Sequence, residues 1–168
     1  MILGMTTFTF VHVVISLVAI FSGLVTVFGM IAGKRLDGWT GLFLFMTVLT
    51  SVTGFMFPYH GFTPAIGVGI LSLVALAMAI VARYRRHLVG GWRRTYVISA
   101  VIALYLNVFV LVVQLFEKVP VLHAMAPKGS EPPFLITQAI VMVIFVVLGI
   151  LAAKKFRDQM TRVLDRAA

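Results

Sequence analysis

Apolar residues run through this chain in long blocks, and charged residues fall only between them. Residues 1–33, 38–82, 95–116 and 132–153 contain no Asp, Glu, Lys or Arg. The first block predicts a helix over 7–31, which at 1.5 Å per residue is long enough to cross a hydrocarbon core of about 30 Å with some tilt. The second block is too long for one helix, since its 45 residues would reach roughly 68 Å. FPYHGFTP breaks it: Pro58, Gly61 and Pro64 punctuate, and Thr63 is placed to cap a helix with Pro64 in its first turn. Spans are therefore predicted at 40–57 and 64–82, followed by 95–116 and 134–153.

Within the spans the polar positions are few and patterned. In the first, Ser16, Ala19, Gly23 and Thr26 follow the three-to-four spacing of one helix face, and Gly29 with Gly33 makes a GxxxG spacing suited to close helix contact. The second carries Thr47, Thr50, Ser51 and Thr53, hydroxyls that can donate back to their own i−4 carbonyls. The third is slim, with Gly67, Gly69, Ser72, Ala75 and Ala79. The fourth is the most polar inside, with Tyr105, Asn107 and Gln114; the fifth has Gln138 near its start. A loop of 17 residues, 117–133, holds four of the six prolines, and its apolar stretch VPVLHAMAP is suited to lie in the membrane interface. The tail KKFRDQMTRVLDRAA places Phe156, Met160 and Val163 or Leu164 on one face of a basic amphipathic helix, the pattern of a segment lying along an anionic leaflet.

Composition agrees with a lipid environment. The chain is 61% hydrophobic and 11% charged, whereas a soluble domain has about 25% charged residues. The predicted fold is all-α: a polytopic helical membrane protein, one bundle over 1–168 with five transmembrane helices. The stretch RYRRHLVGGWRR, 83–94, divides it, with five arginines and His87 in twelve residues. With the 33–38 turn and the tail, this region holds 12 of the 14 Lys and Arg residues, while Lys118 and Lys128 share a loop with Glu117 and Glu131. The positive-inside rule then puts the N-terminus out and the C-terminus in. The net charge of +9 sits at the ends of apolar segments rather than in a groove, so it reads as a topology signal and not as a nucleic-acid surface. No cysteine is present, which removes disulfides, thiolate nucleophiles and Cys-based metal sites. The first apolar block lacks the basic region and cleavage site of a signal peptide and is expected to stay as a helix.

This topology brings His12, His60 and His123 towards the outer face, as candidate nitrogen ligands for a transition metal with Glu117 or Glu131 supplying oxygen. The alternative is three separately solvated interfacial side chains. No pair has the i,i+4 ligand spacing, and axial haem ligation would need two histidines facing one another in the bundle. A further expectation is that Glu117, Lys118, His123 and Glu131 form one ordered outer surface with His12 and His60. Tyr105, Asn107 and Gln114 are the second candidate group. Polar groups in hydrocarbon need partners, so they either glue the fourth span to the first or fifth or hold a quinone headgroup or small solute. No span interior carries an acid, lysine or arginine, which weighs against a proton pump, an ion-coupled carrier or a voltage sensor. No catalytic residue is assigned, since HExxH, Walker and dinucleotide-binding motifs are absent.

The segment YLNVFVLVVQLFEKVPVLHAMAP…SEPPF, 105–134, together with YRRHLVGGWRR and TSVTGFMFP, resembles a family of short, uncharacterised bacterial inner-membrane proteins. The resemblance covers most of the chain from about Trp39. The family's loop tends to read APTQ, where this chain has Ala126-Pro127-Lys128-Gly129. The resemblance implies a multi-pass inner-membrane location and supplies no activity, but it singles out Asn107, Gln114, Lys118, Pro120 and residues 130–133. Three readings stand: a non-enzymatic bundle with a structural or accessory role, which fits the sparse extramembrane machinery best; a quinone- or haem-associated electron-transfer subunit; and a small-solute or lipid-handling membrane protein. The partners expected are membrane lipids and either another membrane protein or a second copy of the chain.

Overall fold

The structure is a computed structural model and describes residues 6–58 and 63–156; His60 and the amphipathic tail beyond Phe156 lie outside the described residues. The described chain is all-α. Its helices are α1 (Thr7–Ile31), α2 (Asp37–Phe55), α3 (Pro64–Ile80), α4 (Trp92–Lys118), α5 (Pro120–Met125) and α6 (Pro132–Lys155), and one π turn, Val81–Arg85, extends α3. All but α5 are long and apolar enough to cross a membrane. Local chemistry sets several of their starts. The Thr6 hydroxyl accepts from the Thr9 N–H at 3.2 Å, and Thr63 accepts from Ile66 N–H at 3.4 Å with Pro64 opening α3. Prolines 120 and 132 open α5 and α6 in the same way.

α1 to α4 pack as a ring of four in chain order, and α6 lies against α4 and α1 on the outside of it. The up-and-down path gathers the starts of α1, α3 and α6 with the ends of α2 and α4; this is called the histidine end here. The opposite, arginine end carries the 32–36 and 86–91 turns. The tightest point of the ring is Gly23 on α1, where an added Cβ would stand 2.6 Å from Leu104 Cδ1 of α4 and 2.8 Å from the Phe43 ring of α2. Around it Ala19, Val27, Phe43, Leu76, Tyr96, Ala100 and Leu104 form the buried core. Hydroxyls within the spans are satisfied locally. Ser22, Thr26, Thr50, Ser51 and Thr53 all donate to i−4 carbonyls at 2.7–3.0 Å.

Three sequence expectations change. Gly29 and Gly33 do not form a helix–helix contact: Gly33 adopts φ 68 just past the end of α1, and Gly29 makes room for Leu36 of the returning turn. Asp37 belongs to the first turn of α2 rather than to a loop. Arg83 is not an exposed loop arginine. The π turn rotates it inward, where its side chain is 3% exposed and donates to Asp37 Oδ1, an oxygen that Arg35 Nε also reaches at 3.1 Å. Its guanidinium lies 5.3 Å from the Tyr96 ring centroid and 5.7 Å from that of Tyr84.

Candidate functional site

Between Gly23 and the histidine end the four ring helices enclose a cavity of about 620 Å3, within the roughly 300–1,000 Å3 of small-molecule sites. Small residues make the room: Ser16 on α1, Ser51 and Gly54 on α2, and Ala65, Gly69 and Ser72 on α3 all line it. At 1.5 Å per residue the lining stretches 9–20 of α1 and 106–119 of α4 run roughly 16–20 Å, somewhat more than half of a ~30 Å hydrocarbon core. The cavity is only partly enclosed, and Leu17 and Leu115 of its lining are exposed.

Its polarity is graded. The floor holds three hydroxyl or amide groups: Ser51 Oγ, whose hydrogen is used on the Thr47 carbonyl, accepts from Ser72 Oγ at 3.3 Å, and Asn107 Nδ2 donates to Thr47 Oγ1 of α2 at 3.3 Å. Leu17, Val13, Phe55, Val68, Val110 and Leu111 form apolar walls. At the mouth lie Thr9, His12, Gln114 and Lys118. His12 Nδ1 is 2.8 Å from Thr53 Oγ1. The Thr53 hydroxyl hydrogen is used on the Leu49 carbonyl at 2.7 Å, so Thr53 accepts and His12 Nδ1 carries the proton in this contact. The other ring nitrogen, Nε2, makes no hydrogen bond among the described residues. The ring also stacks edge-on against Phe57 at 5.1 Å.

No family model, curated protein or solved structure matches the chain.

The geometry of the cavity divides the sequence candidates. His12, Asn107 and Gln114 line one cavity; Tyr105 does not, and packs instead on Phe109 and on Phe145 of α6, at 6.1 and 5.8 Å. Asn107 ties α4 to α2 rather than to the first or fifth span, and Gln114 Nε2 donates to Glu117 on its own helix at 3.3 Å. The link from α4 to α6 is made by Gln138, which donates to the Phe109 carbonyl at 3.2 Å. His123 is exposed on α5, and among the described residues no hydrogen bond or ion pair joins it, or Glu131, to His12. Glu131 has a separate task. Its carboxylate accepts from the backbone N–H groups of Lys128 and Ser130 at 3.0 Å each. The slight loss of hydration there pushes its pKa up, but these backbone donors outweigh it and hold the group below the usual carboxylate range. No three His, Asp or Glu side chains cluster as metal ligands among the described residues.

Sequence reading singled out Lys118 for an outer surface with His12, and both line the cavity, but it missed Ser16 and Ser72 as parts of the site. The available signal was small or hydroxylated residues on several spans, which only matters once those spans are brought around one cavity.

The Asn107 contact yields a prediction. Asn107→Leu and Thr47→Val should each cost about 0.6–2 kcal/mol, the range for hydrogen bonds within membrane bundles. Because both remove one bond, the double variant should unfold close to either single one in a detergent melt. Additive losses would show that the two side chains act independently. Gln114→Leu should cost less, as its partner Glu117 is exposed on the same helix.

Proposed function

We propose that this protein is a non-enzymatic membrane bundle whose accessory role is to hold a lipid-like amphiphile in the cavity at its histidine end. The cavity is the observation that carries this reading. It is elongated along the helices, apolar along its walls, polar towards the histidine end and only partly enclosed. An unfilled apolar volume of that size forfeits the packing contacts of its walls, so a chain-like molecule entering it stabilises the bundle. The bias of lysine and arginine supports an orientation with the N-terminus and the cavity mouth outside and the 83–94 turn inside. The resemblance of 105–134 to short bacterial inner-membrane proteins supports the inner membrane as the location.

Two measurements test this. Mild extraction into phosphatidylcholine nanodiscs, followed by solvent extraction and mass spectrometry, should recover an amphiphile enriched over the bulk lipid. Val110→Trp, which projects an indole from the cavity wall, should lower that enrichment several-fold. Equal lipid profiles for wild type and Val110→Trp would overturn the reading, and a quinone in the extract would move it to electron transfer. For orientation, Val89→Cys introduces a single thiol into a cysteine-free chain at an exposed position of the arginine-end turn. It should resist an impermeant thiol reagent in intact cells and react after lysis. Reaction in intact cells would invert the topology.

A further inference from the structure

We infer that the amphiphile carries an anionic headgroup, a carboxylate or a phosphate, and that Lys118 at the cavity mouth receives it. This rests on the cavity reading above and adds the chemistry and direction of binding. Among the described residues lining the cavity, Lys118 is the one with a permanent charge. Its acidic neighbour Glu117 is engaged by Gln114 Nε2 at 3.3 Å, and Glu131 by the backbone of its own turn. No hydrogen bond or ion pair to an acid occupies Lys118 among the described residues.

The second polar group at the mouth is His12. Its Nδ1–H is committed to Thr53. An anion at this end meets the ammonium of Lys118, and His12 Nε2, which makes no hydrogen bond among the described residues, is left as an acceptor for a headgroup hydroxyl. The far end of the cavity has no charge to offer. Ser51, Ser72 and Asn107 there are hydrogen-bonded to one another or to Thr47, so the floor asks nothing ionic of a ligand. A charged head placed at the floor would be desolvated without a counter-ion. Head at Lys118 and tail towards Ser51 is the orientation these groups favour. Burying the tail along about 16 Å of apolar wall supplies affinity, and the lysine selects the sign of the head.

The experiment compares three probes of equal chain length, laurate, dodecyl phosphate and dodecanol, titrated into the protein in phosphatidylcholine nanodiscs, with protein-free nanodiscs as the background. Both anions should bind saturably and more tightly than dodecanol. Lys118→Gln should weaken the two anions roughly five-fold, between the worth of an exposed ion pair and of a charge-assisted hydrogen bond, and leave dodecanol unchanged. Lys128→Gln, on the same loop but not lining the cavity, should change nothing. The preferred anion separates a free fatty acid from a lysophospholipid-type ligand. Equal binding of all three probes, unaffected by Lys118→Gln but lost in Val110→Trp, would overturn the anionic headgroup and leave the cavity reading standing. No saturable binding by any probe would overturn both.

Discussion

Gly23→Leu is expected to be the most damaging single substitution in the bundle, costing about 3 kcal/mol or more, at the upper end of overpacking penalties. A first carbon at this position already stands 2.6 Å from Leu104 and 2.8 Å from the Phe43 ring. Both neighbours are themselves fully buried, so neither can swing into lipid to make way. Gly23→Ala should cost about 1 kcal/mol by the same mechanism, since small shifts of Leu104 Cδ1 relieve part of the contact. Relief should also come from the partner: Leu104→Ala combined with Gly23→Ala should recover part of the loss. Melting in a mild detergent with graded denaturant reads all three. If Gly23→Leu melts with wild type, α1, α2 and α4 do not meet as described. The substitution should reach the cavity as well, because Ile20 of its lining is less than one turn from Gly23.

Asp37→Ala is expected to cost about 2–3 kcal/mol by leaving the buried Arg83 guanidinium without its carboxylate; a fully buried pair would lose roughly 3–5 kcal/mol, and the lower figure reflects an Asp37 side chain that is 67% exposed and screened. Part of the loss comes from removing the acid in the first turn of α2. The companion Arg83→Met keeps the volume in the core and removes the demand for a counter-charge. The double variant Asp37→Ala, Arg83→Met should therefore be more stable than Asp37→Ala alone. Arg83→Lys should not substitute, because a lysine loses the planar contact with Tyr96 and Tyr84. A double variant that melts below both single ones would show that Arg83 contributes packing rather than a charge requirement.

How much of this was legible in the chain depends on the range of the interaction. The five long helices follow from block length and hydropathy alone, and the i−4 bonds of Thr50, Ser51 and Thr53 follow from the helix itself. Thr63–Pro64 announces the start of α3 because capping is local. Arg83 was misread because its inward turn depends on a π turn, an extra residue that shifts the helix phase and leaves no mark in hydrophobic periodicity. Gly29 and Gly33 were misread because GxxxG spacing does not distinguish a packing face from a helix that stops at the second glycine. Asn107 and Gln114 were grouped as a candidate site and both line the cavity, but which neighbour they meet is set by the order of helices around the ring. The cavity was the least legible feature. It is lined by small and apolar residues from four separate helices, and no single segment encodes that.

α6 contributes no residue to the cavity wall, and of its residues only Gln138, Phe145 and Ala152 are buried. The contacts that close the ring, such as Gly23 with Leu104 and Arg83 with Asp37, lie wholly within α1, α2, α4 and the π turn that extends α3. α6 is therefore a buttress laid against α4 and α1, not a wall of the cavity. A substitution on its outward face should leave both the cavity and the ring contacts as they are, since most of its circumference touches no other helix.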